Sequence, residues 1–202
     1  MLSYRHAFHA GNFTDVHKHV ALVMLLEHLL RKDAPFCCLD THAGAGVYDL
    51  DSRYAQRNRE FETGIARLWG HGDCPAPVAR YVDIVRGLNP PEADGTQRLR
   101  WYPGSTWIAR TFLRPADRIV ASELHSTDAP LLKQCFARDL QVSTVGSRQE
   151  VGREDVRGAS RGQYPSGGHE YEPVAVVRRQ IDIVQRSERP DRLLSRQAEE
   201  KR

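Results

Sequence analysis

Three observations predict an α/β fold with a parallel sheet. A strongly periodic helix leads into a short continuous apolar run, Phe36-Cys37-Cys38-Leu39, the pattern of a strand buried on both faces. A glycine-bearing turn, Thr41-His42-Ala43-Gly44-Ala45-Gly46, follows that run after Asp40. A second apolar run, Arg118 to Glu123, comes after another helical stretch and ends in an acid.

Asn12 to Lys32 is the clearest helix. Asn12 or Thr14 can cap it, and Asp15 sits in the first turn, where the helix dipole favours negative charge. Val16, Val20, Val23, Leu26 and Leu30 recur at helical spacing, and Asp33-Ala34-Pro35 ends the element. Residues from Asp51 to about Gly87 are helical in character. Phe61, Ile65 and Leu68 form one stripe and Val82, Val85 and Leu88 another, with a Gly- and Pro-bearing break from Gly70 to Pro77. Asn89 to Thr96 is a loop, so 51–97 reads as a small helical insertion. The sheet is expected to resume at Leu99–Tyr102, followed by a helix from Thr106 to Leu113, the strand Arg118–Glu123 and a helix from Asp128 to Asp139.

Composition then breaks. Residues 143–202 hold 16 hydrophobic and 22 charged residues, 11 of them Arg, and their only aromatics are Tyr164 and Tyr171. The expected organisation is 1–50 and 98–142 as one domain around the insertion, with 143–202 an atypical, Arg-rich, poorly ordered tail. Pro173–Gln185 suits one strand or one short helix, and Arg189–Arg202 a charged helix. Neither resembles a buried parallel strand. A disordered tail, a divergent C-terminal half and a stretch read out of frame compete as explanations. The abruptness of the change favours the last.

Several classes are excluded or disfavoured. No apolar run approaches bilayer length, and the first residues carry no apolar h-region, so neither a membrane span nor a secretory signal is expected. Four cysteines, two of them adjacent, suit reduced cytoplasmic thiols. A net charge of +3 does not by itself demand a nucleic-acid partner.

The chemistry-bearing residues suggest a Rossmann-like nucleotide site, and a Gly-rich loop that holds no ligand explains the spacing as well. A glycine turn after a parallel strand lets backbone approach a ligand that a Cβ would block. Glu123, at the end of the later strand, is placed to accept hydrogen bonds from both ribose hydroxyls of an adenosyl cofactor. Gly44-x-Gly46 lacks the third glycine of the dinucleotide fingerprint. Histidines crowd the first 42 residues, but His17 and His19 lie about 200° apart on a helix and cannot share a metal from one face. No Cys–His spacing suits a structural zinc either, so no metal is expected. Tyr4-Arg5-His6-Ala7-Phe8-His9 interleaves aromatics with cations, a pattern able to stack bases and touch phosphates, though simple packing of Phe8 and solvation of Arg5 explain it as well. Asn89-Pro90-Pro91-Glu92 imitates a methyltransferase base-holding motif, but its fourth residue is not aromatic and it follows a helix.

Over residues 1–142 the sequence resembles the RlmJ-type 23S rRNA adenine-N6 methyltransferases. The resemblance rests on Met1-Leu2-Ser3-Tyr4-Arg5-His6, Phe8-His9-Ala10-Gly11-Asn12, Asp15 and Lys18-His19. It continues through Leu39–Gly46, Gly64-Ile65-Ala66-Arg67, Tyr102-Pro103-Gly104-Ser105 and Glu123-Leu124-His125. It implies a Rossmann-like, S-adenosylmethionine-dependent methyltransferase fold with a small helical insertion. It also implies methyl transfer to the exocyclic amine of one adenine in 23S rRNA, and a cytoplasmic, monomeric protein. Carried over by position, His19, His42, Ser105 and Glu123 would contact S-adenosylmethionine, while Tyr4, His6 and Lys18 would serve the RNA. The family's Asp-Pro-Pro-Tyr segment, which holds the target base, occurs nowhere in the 202 residues. The downstream Asp-Gly pair is replaced by Ser147-Arg148-Gln149. The chain as written is therefore expected to bind S-adenosylmethionine weakly at best and to transfer no methyl. The alternatives are a non-catalytic RNA-binding or interaction protein on a partial methyltransferase fold, and a different Rossmann-like nucleotide binder.

Overall fold

A computed structural model describes residues 5–146 and the backbone of Pro173 and Val174. After a short 3-10 turn at His6–Phe8 come α1 (Phe13–Leu29), β1 (Cys37–Asp40), β2 (Val47–Asp49), α2 (Ala55–Asn58), α3 (Ile65–Trp69) and α4 (Ala76–Leu88). Then follow β3 (Trp101–Pro103), α5 (Ser105–Thr111), β4 (Arg118–Ser122), α6 (Asp128–Cys135), β5 (Val142–Val145) and β6 (Pro173–Val174). The main sheet runs β5-β4-β1-β6, with every pairing parallel.

The register follows from burial. Cys38 faces Ile119 and Asp40 faces Ala121, and Ile119, Val120 and Ala121 are all essentially inaccessible. This is the doubly covered, apolar strand the sequence predicts. The lower end of the sheet is clamped by Asp117, which accepts from the Phe36 N–H at 2.9 Å and pairs with Arg114 at 2.9 Å.

Helix α1 begins where expected, with the Asn12 side chain accepting from the Asp15 N–H at 2.9 Å. Its buried face is Asp15, His19, Leu22, Val23 and Leu26, whereas Val16 and Val20 lie at its margin. Two polar side chains thus occupy a stripe that hydrophobic spacing alone assigns to aliphatics. The insertion is helical but broken, because Arg59 takes a left-handed conformation (φ 52°) between α2 and the turn Glu60–Thr63. Helix α4 buries Tyr81, Val82 and Val85 and packs against α1.

Three sequence expectations change. The Leu99–Tyr102 region does not rejoin the parallel sheet. Its strand, β3, pairs antiparallel with β2 in a separate ribbon, with Tyr48 opposite Tyr102. The three-residue β2 is too short to leave a period-2 signal. Strand β5 runs on to Val145, past the compositional break, because Ser143 and Thr144 pair with Val120 and Ala121. Finally, Pro173 and Val174 do form a parallel strand, opposite Cys37 and Cys38 on the outer edge of β1. Two paired residues leave no periodicity to read, and Pro173, lacking an N–H, sits at the strand start, where its missing donor is tolerated. The other expectations for the tail fall outside the described residues.

Asn89 confirms the loop reading of Asn89–Thr96 and explains it. The side chain is buried, donates to the Val85 and Trp101 carbonyls at 2.9 and 2.7 Å, and accepts from the Arg100 and Trp101 N–H groups at 2.9 and 2.7 Å. It is a clip between the end of α4 and β3, with no capacity left for a base.

Candidate functional site

The carboxyl ends of β1 and β4 lie side by side, and the loops leaving them form the site. This is the end at which open parallel sheets bind ligands. After Asp40 the chain turns through Gly44 (φ 61°) and Gly46 (φ 81°), both left-handed. A Cβ on Gly44 would lie 1.9 Å from the Tyr48 hydroxyl, so steric space and backbone angle both demand glycine there. The Tyr48 hydroxyl accepts from the Ala45 N–H at 3.2 Å and holds the turn from below. Burial raises the Tyr48 phenol well above its ordinary pKa, so it stays protonated.

Two carboxylates organise this turn. Asp40 accepts from the Ser105 hydroxyl at 2.6 Å and the Thr106 hydroxyl at 2.9 Å, tying the start of α5 to the end of β1. Its other oxygen accepts from the His42 N–H at 3.2 Å. Glu123 accepts from the Gly44 N–H at 2.8 Å through one oxygen and from the His125 N–H at 2.6 Å through the other. A carboxylate offers about four lone-pair positions. Half-buried Glu123 therefore keeps acceptor capacity for a diol beside the glycine turn. That acceptor suits the hydroxyls of a ribose.

The sequence-predicted residues divide. Glu123 meets the glycine turn directly, whereas Ser105 is tied to it through Asp40 and through its neighbour Gly104, whose N–H donates to the Gly46 carbonyl at 2.8 Å. His42 stands on the turn with its side chain exposed and Nδ1 3.0 Å from the Thr41 hydroxyl. His19 lies in a buried polar cluster beneath. Its ring stacks on Tyr102 (5.5 Å between centroids, 24°) and its Nδ1 is 3.0 Å from the Tyr102 hydroxyl, which in turn accepts from Tyr81 at 2.9 Å. Burial lowers the His19 pKa to about 4, against the opposing pull of Asp15, so His19 is neutral at pH 7 and accepts the Tyr102 proton.

His6 contacts Asp15 at 2.8 Å and its ring sits edge-on to Tyr48, 5.3 Å between centroids. Burial works to raise the Asp15 pKa, but the charge and hydrogen bond of His6, with His19 and Lys18 nearby, outweigh it and hold the group at about 2. Lys18 is half-buried, and its charge is felt at both Asp15 and His19. Tyr4 lies outside the described residues.

Asp15, Asp40, Tyr48, Tyr102 and Thr106 complete the site, though none stood among the candidate site residues. Asp40 carried a signal in its place between strand and glycine turn, and Asp15 and Tyr102 stand in the segments that carry the family resemblance. Among the described residues no cluster of His, Cys, Asp and Glu is arranged to hold a metal, and no helix is long and apolar enough to cross a membrane.

Comparison with known proteins follows the same outline. The family model described as ribosomal RNA large subunit methyltransferase D, RlmJ, matches residues 33–158, beyond the compositional break. Ribosomal RNA large subunit methyltransferase J of Escherichia coli is 48% identical over 139 residues, covering 69% of this chain and 48% of that protein. The Haemophilus influenzae protein of the same name is 45% identical over 143 residues, covering 71% and 50%. The chain thus spans about half the length of these curated relatives. The crystal structure of protein LPL1258 from Legionella pneumophila superposes with a TM-score of 0.59 at 33% identity, over 68% of this chain and 48% of that one.

Proposed function

The chain belongs to the RlmJ family of ribosomal RNA large subunit methyltransferases, and from that premise we propose that residues 5–146 are the S-adenosylmethionine-binding half of a 23S rRNA adenine-N6 methyltransferase. The observation that carries this reading is the convergence of Asp40, the Gly44–Gly46 turn, Ser105 and Glu123 at the carboxyl ends of β1 and β4.

When bound, S-adenosylmethionine supplies an electrophilic methyl group on a sulfonium. The residues of this chain bind and orient it. Glu123 would accept the ribose hydroxyls and the Gly44–Gly46 backbone would lie beside the nucleoside, while Asp40 holds Ser105 at the mouth of α5. His42 and Ser105 offer polar contacts to the cofactor, and neutral His19 stiffens the floor through Tyr102. On the RNA side, Tyr4, His6 and Lys18 meet an adenine that has left the base stack. Orientation of the adenine amine toward the methyl then supplies most of the rate gain. The resemblance assigns that orientation to an Asp-Pro-Pro-Tyr segment, and no such segment is present in these 202 residues. We therefore propose cofactor and RNA binding without methyl transfer by this chain alone.

Two measurements test the reading: calorimetric binding of S-adenosylmethionine by the wild type and Glu123→Ala, and methyl incorporation into unmodified 23S rRNA. Binding that disappears in Glu123→Ala, with no incorporation, is expected. Binding of NAD or ATP in preference to S-adenosylmethionine would overturn the cofactor assignment. Stoichiometric methylation would overturn the claim that the base-holding segment is required.

A further inference from the structure

We propose that Arg53, Tyr54 and Arg57, backed by Arg5 and Phe8, form a docking surface for the phosphodiester backbone of RNA beside the adenosyl site. The proposal rests on the reading that RNA is the partner, and it adds a contact region in the insertion that the family resemblance did not assign.

The surface is built from two segments far apart in sequence. The Arg5 guanidinium lies 4.2 Å from the centroid of the Tyr54 ring and that of Arg53 4.8 Å, and Arg53 also donates to the Tyr54 hydroxyl at 2.7 Å. Phe8 meets Tyr54 edge-on at 5.3 Å, and the Arg57 guanidinium lies 5.8 Å from the Phe8 ring. Cation–π contacts of this kind orient a guanidinium without consuming its N–H donors.

Charge bookkeeping singles out two of these groups. Neighbouring arginines are already neutralised: Arg59 by Glu62, Arg98 by Asp51 at 2.6 Å, and Arg100 by Asp49 at 3.4 Å. Arg5 pairs with Asp128 at 3.6 Å. Among the described residues, Arg53 and Arg57 have no carboxylate within ion-pair distance, and both are exposed. The Tyr54 ring is already engaged by two guanidinium groups and Phe8. The recognition groups that remain are planar forks of N–H donors, which suit phosphate oxygens rather than a stacked base.

Position ties the surface to the site. Arg5 donates to the Thr127 hydroxyl at 2.5 Å, four residues beyond Glu123, and its neighbour His6 contacts Asp15 and Tyr48 under the glycine turn. A strand of RNA lying across Arg53 and Arg57 would therefore run past the mouth of the adenosyl site.

The test compares the wild-type 202-residue chain, Arg53→Ala/Arg57→Ala, Arg53→Lys/Arg57→Lys and Arg98→Ala by fluorescence anisotropy. The probe is a transcript of unmodified large-subunit rRNA, titrated between 50 and 300 mM salt, with heparin in a parallel arm. Loss of two phosphate contacts predicts an affinity lower by on the order of tenfold at about 0.1 M salt, and a log–log salt slope shallower by about 1 per arginine. The lysine pair should keep most of the slope, and Arg98→Ala should match the wild type. An unchanged slope in the alanine pair, with wild-type binding intact, would overturn this surface. Absence of RNA binding by the wild type would instead overturn the functional reading above. Equal affinity for heparin and RNA would overturn RNA as the partner.

Discussion

Glu123 accepts a hydrogen bond from the backbone N–H of Gly44 at 2.8 Å, across 79 positions of sequence. That contact joins the acidic end of β4 to the glycine turn after β1. The proposed ribose acceptor is thereby also a structural support for the glycine turn.

Glu123→Ala should therefore act twice. Stranding the Gly44 and His125 N–H groups costs about 1–2 kcal/mol of stability. Removing the acceptor should weaken S-adenosylmethionine binding at least about tenfold, the equivalent of one charge-assisted bond. Glu123→Gln keeps one carbonyl acceptor and should fall between. Calorimetric titration alongside thermal melting separates the two effects, and a stability loss with unchanged affinity would remove Glu123 from the cofactor site.

Gly44→Ala should destabilise the protein and weaken cofactor binding, because the new Cβ would lie 1.9 Å from the Tyr48 hydroxyl at φ 61°. The left-handed backbone alone costs roughly 1 kcal/mol for alanine. Adding Tyr48→Phe should recover the steric part but not the backbone part. A double-mutant cycle by urea denaturation measures the coupling, and strict additivity would mean that the two groups do not meet.

Acidification should destabilise the fold through His19 well before most carboxylates titrate. Its pKa falls from 6.5 to about 4 on folding, so the unfolded chain binds the extra proton between those values. The contribution is full above pH 6.5 and is lost as pH falls through 4, amounting to about 3 kcal/mol. Asp15, held at about 2 against an ordinary 3.8, adds a second loss as pH drops from about 3.8 toward 2. Denaturation at pH 7, 5.5 and 4.5 should show a slope that His19→Asn flattens. Parallel curves for the two proteins would contradict the buried, neutral imidazole.

Asn89→Ala should cost about 2–4 kcal/mol, since two backbone N–H groups and two carbonyls lose their partner in a buried place. Affinity for S-adenosylmethionine per folded molecule should not change. A specific loss of cofactor or RNA binding, without loss of stability, would mean that the Asn-Pro-Pro stretch is a functional motif after all.

What the sequence determined by itself is what depends on neighbours in the chain. The periodicity of α1, its Asn12 cap, the apolar runs of β1 and β4, and the glycine turn after Asp40 are all local signals, and each is where the pattern put it. Glu123 was legible because an acid ending a buried strand is unusual. Tertiary structure decided what depends on partners distant in sequence. Tyr48 and Tyr102 meet only because β2 and β3 pair across 54 positions, and His19 is buried only because Tyr81 and Tyr102 roof it. A lone histidine in an apolar stripe carries no sign of the phenols that will bond it. Arg53 and Arg57 likewise look like any surface arginines until the fold shows which neighbouring cations already hold a carboxylate and which do not. Backbone preference is written residue by residue, whereas burial, charge pairing and the reach of a hydrogen bond are properties of the assembled chain.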